Sequence, residues 1–133
     1  MGVLSLRMSD QEEARIGGTR IVNLHAWWDT AIVQPLGSDP QALASRLRAG
    51  ITPAQKAKWE QGDPWSWAME SFGVAHSVAY TIGSPPGCAR DSAPRPLPSG
   101  YEDRAKAAAD VQIERAGVRL ALLLNRALDP VAR

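Results

Sequence analysis

The chain has 133 residues, which is enough for one domain with a hydrophobic core of its own. Its formal net charge of +1 at pH 7 does not indicate a general nucleic-acid surface, so any such binding has to be local. The single cysteine excludes an internal disulfide and a cysteine-based metal cluster. No apolar stretch is long enough to cross a bilayer, and no signal peptide is visible in the first residues.

The first part of the chain, residues 1–20, is polar and charged. We expect it to be poorly ordered or a short frayed helix, and we treat it as a leader of uncertain structure. Residues 21–133 are expected to form one helical domain. No alternation of apolar and polar residues typical of strands is visible, so the predicted fold class is all-α, a bundle of about four to five helices.

Five helices are predicted, and three of them begin with a recognisable capping signal. Asp39 and Asp63 each precede a proline at the first helical position. Thr52 and Gln55 have the spacing of a capping box. The density of proline and glycine in residues 83–100 excludes a regular element there. The predicted helices cover residues 23–35, 39–50, 52–62, 63–80 and 102–128.

Apolar residues at helical spacing predict which side of each helix faces the core. In the first helix this row is Leu24, Trp28 and Ile32. The rows of the fourth and the last helix are Trp65, Met69, Phe72, His76 and Ala79, and Ile113, Ala116, Leu120, Leu124 and Leu128. Tryptophans at such periods are more typical of a core than of a base-stacking platform. We expect core positions for Trp27, Trp28, Trp65 and Trp67.

His25 and Asp29 stand four residues apart, which places them on one face of a helix. A neutral imidazole nitrogen and a carboxylate oxygen on one face can bind one divalent metal ion. The same spacing is more often that of a surface hydrogen-bonded pair, and both interpretations stay open at this point. The position of the pair beside an apolar row favours the metal. His76, the only other histidine, is interpreted as a residue at the edge of the core rather than a ligand.

Three blocks of the sequence, in this order, resemble a known family. Residues 23–30 are similar to its pattern Asn-Leu-His-x-x-Trp-Asp, and residues 67–71 to Trp-x-x-Glu-Ser. Residues 116–125, with Tyr101 before them, are similar to Ala-Gly-x-Arg-Leu-Ala-x-x-Leu-Asn. The family is that of the zinc-dependent single-strand nucleases of the S-one/P-one type, whose all-helical fold is similar to that of bacterial phospholipase C.

The resemblance implies a function, a cofactor and a pair of site residues. Members of the family hydrolyse phosphodiester bonds of single-stranded DNA and RNA, and many remove 3′-phosphates, using a cluster of zinc ions. Carried over to this sequence, the pattern gives His25 and Asp29 as zinc ligands, for metal-assisted hydrolysis. The expected partner is single-stranded nucleic acid and not a membrane. Family members are secreted or periplasmic, whereas this sequence leaves the localisation unknown.

The resemblance covers only the C-terminal half of the family pattern, so we expect a truncated domain with an incomplete metal site. The family's Asp-x-Gly-Gly-Asn block is replaced by residues 15–19, which lack both polar positions. Two ligands do not complete a zinc site, and no general base is identified, so we expect the chain alone to be inactive. The alternative is a non-catalytic helical fragment or partner-binding module. It would self-associate through exposed apolar faces of Trp28, Trp65 and the Leu120 row. A phospholipase C-like esterase is a second alternative.

Glu70 and Arg119 belong to the second and third blocks. We expect them to form a partly buried bidentate pair that bridges two helices. The alternative is two solvated charges that do not meet.

Overall fold

The computed structural model describes residues 5–7, 14–16, 19–33, 36–82 and 95–129, so most of the predicted loop 83–100 lies outside the described residues. The all-α class with about four to five helices is confirmed. Two of the helices end in a π-helical turn, a turn that holds more residues than an α-helical one. The helices are α1 (Leu24–Ala26) with the turn Trp27–Ala31, α2 (Pro40–Gly50), α3 (Pro53–Trp59), α4 (Pro64–Val74) with the turn Ala75–Ala79, and α5 (Tyr101–Leu128).

A small sheet accompanies the helices, and two of its strands lie within residues 1–20, where a poorly ordered segment or a short frayed helix was expected. Its strands are β1 (Ser5–Arg7), β2 (Ala14–Ile16), β3 (Thr19–Asn23) and β4 (Arg95–Pro96), in the order β2-β3-β1-β4. β1 pairs in parallel with β3, and the other two pairings are antiparallel. Strands of two to five residues are too short to show alternation in the sequence. β3 crosses the boundary drawn at residue 20, and the division into leader and domain stays a prediction.

The predicted capping signals are confirmed, and they explain where three helices begin. The carboxylate of Asp39 accepts a hydrogen bond from the backbone of α2 at 2.8 Å. Thr52 and Gln55 form the complete capping box of α3, and Asp63 and Ser66 form that of α4. Each box satisfies backbone N–H groups that the first helical turn leaves without a partner.

The main core lies where the start of α5 packs against the turn Trp27–Ala31. Ile32 and Tyr101 are its largest fully buried members. The complete buried cluster is Leu24, Trp27, Ile32, Tyr101, Ala105 and Ala109. Trp27 and Trp28 were both expected in this core; Trp27 is buried, whereas Trp28 is half-buried and packs against the cluster. The reason is the π-helical turn, because its extra residue shifts the inward face by one position.

The predicted core faces of α4 and of the second half of α5 were wrong. Trp65, Met69 and Phe72 are exposed, and so are Leu120, Leu124 and Leu128. His76 is exposed as well, rather than at the edge of the core. α5 instead buries Arg119, and Trp59 of α3 is buried near it. Periodicity identifies an apolar face, but it does not show whether another element covers that face.

Candidate metal site

His25 and Asp29 lie together on the surface of the molecule. The Nε2 atom of His25 is 2.9 Å from the Oδ2 atom of Asp29, and the two side chains are 81% and 60% exposed. Both belong to the helical segment that directly follows β3, with His25 in α1 and Asp29 in the π-helical turn. The two groups therefore converge and are open to solvent, as a shared ion requires.

The π-helical turn brings the two side chains into line. Its defining hydrogen bond runs from the backbone N–H of Ile32 to the carbonyl oxygen of Trp27, five residues back, at 3.0 Å. An α-helical turn holds 3.6 residues, so residues i and i+4 overshoot one turn. A wider turn reduces this overshoot, and His25 and Asp29 stand more nearly one above the other.

The pair fits zinc as two of its ligands, and only as two. Zinc bonds of about 2.0 Å at tetrahedral angles put neighbouring ligand atoms roughly 3.3 Å apart, so the donors need to separate only slightly. Structural zinc sites use four protein ligands, and catalytic sites usually use three and a water. The described residues contain no group of three or more histidine, cysteine, aspartate or glutamate side chains that could hold a metal ion. Within the described residues, His25 and Asp29 therefore form a two-donor arrangement that fits zinc, and no third histidine, cysteine, aspartate or glutamate joins it.

A buried tyrosine supports the turn that carries Asp29. The indole Nε1–H of Trp28 donates to the Tyr101 hydroxyl at 2.9 Å, and this hydroxyl donates to the carbonyl oxygen of Ala79 at 2.7 Å. Burial raises the pKa of Tyr101 above its ordinary value of 10.0, so the hydroxyl keeps its proton. Sequence reasoning did not place Tyr101 in the core. The sequence does contain a signal for this position, because Tyr101, Ala105 and Ala109 follow one another at intervals of four residues and so share one helical face.

A charged cluster joins α4 to α5, and the predicted Glu70–Arg119 pair is confirmed within it. Arg119 Nη2 donates to Glu70 Oε2 at 2.6 Å, and Arg119 Nε donates to the carbonyl oxygen of Trp59 at 3.2 Å. The bidentate form was wrong, because Arg115 binds the other oxygen of Glu70. The guanidinium of Arg119 lies 5.2 Å from the ring centre of Trp67, and that of Arg115 lies 5.8 Å from that of Trp59. The sequence analysis did not predict the contact between Arg115 and Glu70, because it paired Glu70 with a single arginine, Arg119.

A cavity of about 450 Å³ opens between α2, α3 and the middle of α5. Its walls are mainly apolar, with Leu47, Ile51 and Ile113 among them. Neither His25 nor Asp29 lines it, so this cavity does not belong to the candidate metal site. No helix in the described part of the chain is both long and apolar enough to span a bilayer.

The sequence was also compared with known proteins. A profile of the S1/P1 nuclease family matches residues 10–129. The chain therefore belongs to the S1/P1 nuclease family, and the resemblance drawn from the three sequence blocks is confirmed. The comparisons with curated proteins and with solved structures each found no match. The matched region contains both His25 and Asp29, and it begins within the segment 1–20.

Proposed function

We propose that this chain is the helical, zinc-binding part of a nuclease that hydrolyses phosphodiester bonds of single-stranded DNA and RNA. His25 and Asp29 bind one zinc ion of that enzyme. The observation that carries the proposal is the 2.9 Å approach of His25 Nε2 to Asp29 Oδ2 on an exposed helical surface. Membership of the S1/P1 nuclease family supports the assignment of the reaction. When bound, zinc supplies a lowered water pKa and neutralises charge on the phosphoryl oxygens.

The role of the chain's own residues is to hold the ion from one side. His25 offers a neutral ring nitrogen, and Asp29 offers a carboxylate oxygen. Both side chains project from one helical surface into solvent, so the opposite side of the ion stays open to further ligands and to substrate. The core under α1, with Leu24 and Trp27 buried, fixes the helix from which they project.

We further propose that residues 1–133 alone bind zinc weakly and do not hydrolyse nucleic acid. The chain has two histidines and one cysteine, and His76 lies exposed on another helix. Two donors leave at least one position of a catalytic zinc site without a protein ligand. A zinc ion held so loosely does not activate water at a fixed position beside the phosphorus atom.

Zinc titration calorimetry and digestion of single-stranded DNA test both statements on the isolated chain. We expect weak zinc binding that is lost in His25→Ala and kept in His76→Ala, which removes the only other histidine. We expect no digestion. Tight stoichiometric zinc binding together with robust cleavage would contradict the incomplete site, and zinc binding that survives in His25→Ala would contradict the ligand role.

The genomic sequence upstream of Met1 provides a second test. An open frame that encodes further histidines and aspartates would supply the other ligands. The product of that frame should digest single-stranded DNA in the presence of zinc, and His25→Ala should abolish the digestion. Digestion that persists in this variant would show that the reaction does not use the proposed ligand.

A non-catalytic module that binds a partner is the alternative function, and the exposed apolar side chains favour it. Trp65 is 76% exposed, and Leu120, Leu124 and Leu128 are exposed on α5. Exposed apolar surface of this kind is typical of a protein interface. Size-exclusion chromatography with light scattering distinguishes the cases. Concentration-dependent self-association that Trp65→Ser reduces would favour the module, and a stable monomer would favour a closed domain.

A further inference from the structure

The two π-helical turns, Trp27–Ala31 and Ala75–Ala79, are joined by one side chain, that of Tyr101. The indole of Trp28 in the first turn donates to the Tyr101 hydroxyl at 2.9 Å. The same hydroxyl donates to the backbone carbonyl of Ala79 in the second turn at 2.7 Å. Tyr101 therefore uses its hydroxyl both as acceptor and as donor, and it ties the first turn to the rest of the fold.

The contact fixes two successive residues of the first turn. The ring centres of Trp27 and Tyr101 lie 5.4 Å apart, and Trp27 meets the edge of Trp28 at 5.8 Å. Tyr101 is fully buried, and α5 begins with it, so its ring cannot move without the helix. Rotation of the turn about the helix axis would break the Trp27 ring contact and the Trp28 hydrogen bond together.

The rotation of this turn sets the direction in which Asp29 points relative to His25. Asp29 follows Trp28 directly in the chain, whereas His25 lies in the preceding α-helical turn. We propose that Tyr101 is a positioning residue for the pair His25–Asp29, holding the π-helical turn in the geometry in which both donors meet one ion. The inference rests on the proposed function of the pair as zinc ligands.

The hydroxyl suits this task because it belongs to a fully buried side chain. The hydroxyl is protonated at neutral pH, and burial raises its pKa further, so it can donate to Ala79 while it accepts from Trp28. Removing the hydroxyl leaves the Trp28 N–H without its acceptor in a partly buried position. The turn then relieves that loss most simply by rotating Trp28 toward water, which displaces Asp29 as well.

The first experiment compares Tyr101→Phe with Tyr80→Phe in the 133-residue chain. The two tyrosines are the only ones in the sequence, and Tyr80 is exposed, so the control removes the same atom outside the core. Zinc chloride is titrated while the imidazole nitrogen signals of His25 and His76 are followed by NMR. We expect zinc affinity at His25 to fall several-fold in Tyr101→Phe, less than the roughly 10–100-fold loss typical of a direct outer-shell partner. Tyr80→Phe should bind zinc like the unsubstituted chain.

The second experiment uses Trp28→Phe, which removes the donor of the same hydrogen bond and leaves Tyr101 in the core. We expect the same loss of zinc affinity, and no additional loss in the double variant, because both changes break the same hydrogen bond to the turn that carries Asp29, and the second bond of Tyr101, to Ala79, does not reach that turn. This variant carries the test even where the Tyr101→Phe chain does not fold. Far-UV circular dichroism shows whether each variant is folded. In folded variants, a role of Tyr101 in stability alone would leave zinc affinity unchanged, whereas a positioning role lowers it.

The outcomes separate the two proposals. Unchanged zinc affinity at His25 in folded Tyr101→Phe or Trp28→Phe would overturn the positioning role and leave the ligand role intact. Losses that add in the double variant would also overturn it. A lack of any zinc response at His25 in the unsubstituted chain would overturn the ligand role, and the positioning role with it.

Discussion

The N-terminal half of α5 buries Tyr101, Ala105 and Ala109, whereas the residue that its C-terminal half buries is Arg119. In the first half, aromatic and small apolar side chains pack against the turn next to the candidate metal site. In the second half, the guanidinium of Arg119 is enclosed by the carboxylate of Glu70 and the ring of Trp67, while Leu120, Leu124 and Leu128 face solvent. One helix is thus fixed by apolar packing at one end and by a charged cluster at the other.

The difference shows how a polar side chain comes to be buried. A guanidinium loses hydration when it is enclosed, and only close partners offset that loss. Arg119 has a carboxylate oxygen, a backbone carbonyl and an aromatic ring as partners. Tyr101 needs fewer, because its ring is apolar and only its hydroxyl has to be satisfied. Substitutions that remove side-chain volume should therefore lower the free energy of unfolding most in the first half, and substitutions that remove a charge should lower it most in the second half.

The largest expected effect is that of Trp27→Ala, which tests the apolar end. Trp27 is 2% exposed, and its removal leaves a cavity beside Tyr101. We expect the free energy of unfolding to fall by about 3–5 kcal/mol, measured by urea denaturation. Trp65→Ala is the matched control, and it should change stability by less than about 0.5 kcal/mol because the side chain is exposed. Similar losses in the two variants would mean that Trp65 is covered in solution.

Glu70→Ala tests the charged end, and a somewhat smaller effect is expected. It leaves Arg115 and Arg119 close together without their shared carboxylate. Breaking a fully buried ion pair costs about 3–5 kcal/mol, and since Glu70 is partly exposed we expect roughly 2–3 kcal/mol. Glu60→Ala is the control, because Glu60 pairs with a single, largely exposed partner, Lys56, at the end of α3, and this pair should contribute less than about 1 kcal/mol. Equal effects in thermal or urea unfolding would show that the α4–α5 cluster is no more than a surface pair.

The features that were predicted correctly from the sequence depend on residues close together in the chain. Asp39 and Asp63 start their helices because a side chain and a backbone N–H two or three residues away satisfy each other. The burial of Arg119 and the exposure of Trp65 depend on elements distant in sequence, and periodicity carries no information about those elements. The pairing of Glu70 with Arg119 was predictable only through the family resemblance. The choice of Trp27 over Trp28 for the core follows from a π-helical turn, for which the sequence has no recognised signal.

Tyr101→Phe tests the apolar end of α5 through the pH dependence of stability. The pKa of Tyr101 is raised above its ordinary value of 10.0 by burial, so the unfolded chain loses this proton first. The stability that this contributes is fully present below pH 10 and is lost as pH rises toward the higher pKa of the folded state. Urea denaturation from pH 8 to 11 should show a decline above pH 10 that is steeper in the unsubstituted chain than in the phenylalanine variant. At neutral pH we expect the variant to be less stable by about 1–2 kcal/mol, from the two lost hydrogen bonds. Parallel curves for the two proteins across this range would mean that the hydroxyl is not buried.

The smallest expected effect on stability is that of Asp29→Asn, and it separates a ligand from a structural residue. Asp29 carries a carboxylate close to a basic side chain, as Glu70 does, but both members of its pair are largely exposed. Exposed pairs contribute little, so the free energy of unfolding should change by less than about 0.5 kcal/mol. Zinc binding at His25 should nevertheless be lost, because an amide oxygen is a weaker zinc ligand than a carboxylate. If Asp29→Asn loses zinc binding but keeps its full stability, the carboxylate is needed for the metal ion and not for the fold. A stable variant that binds zinc as before would instead leave the pair as a surface contact.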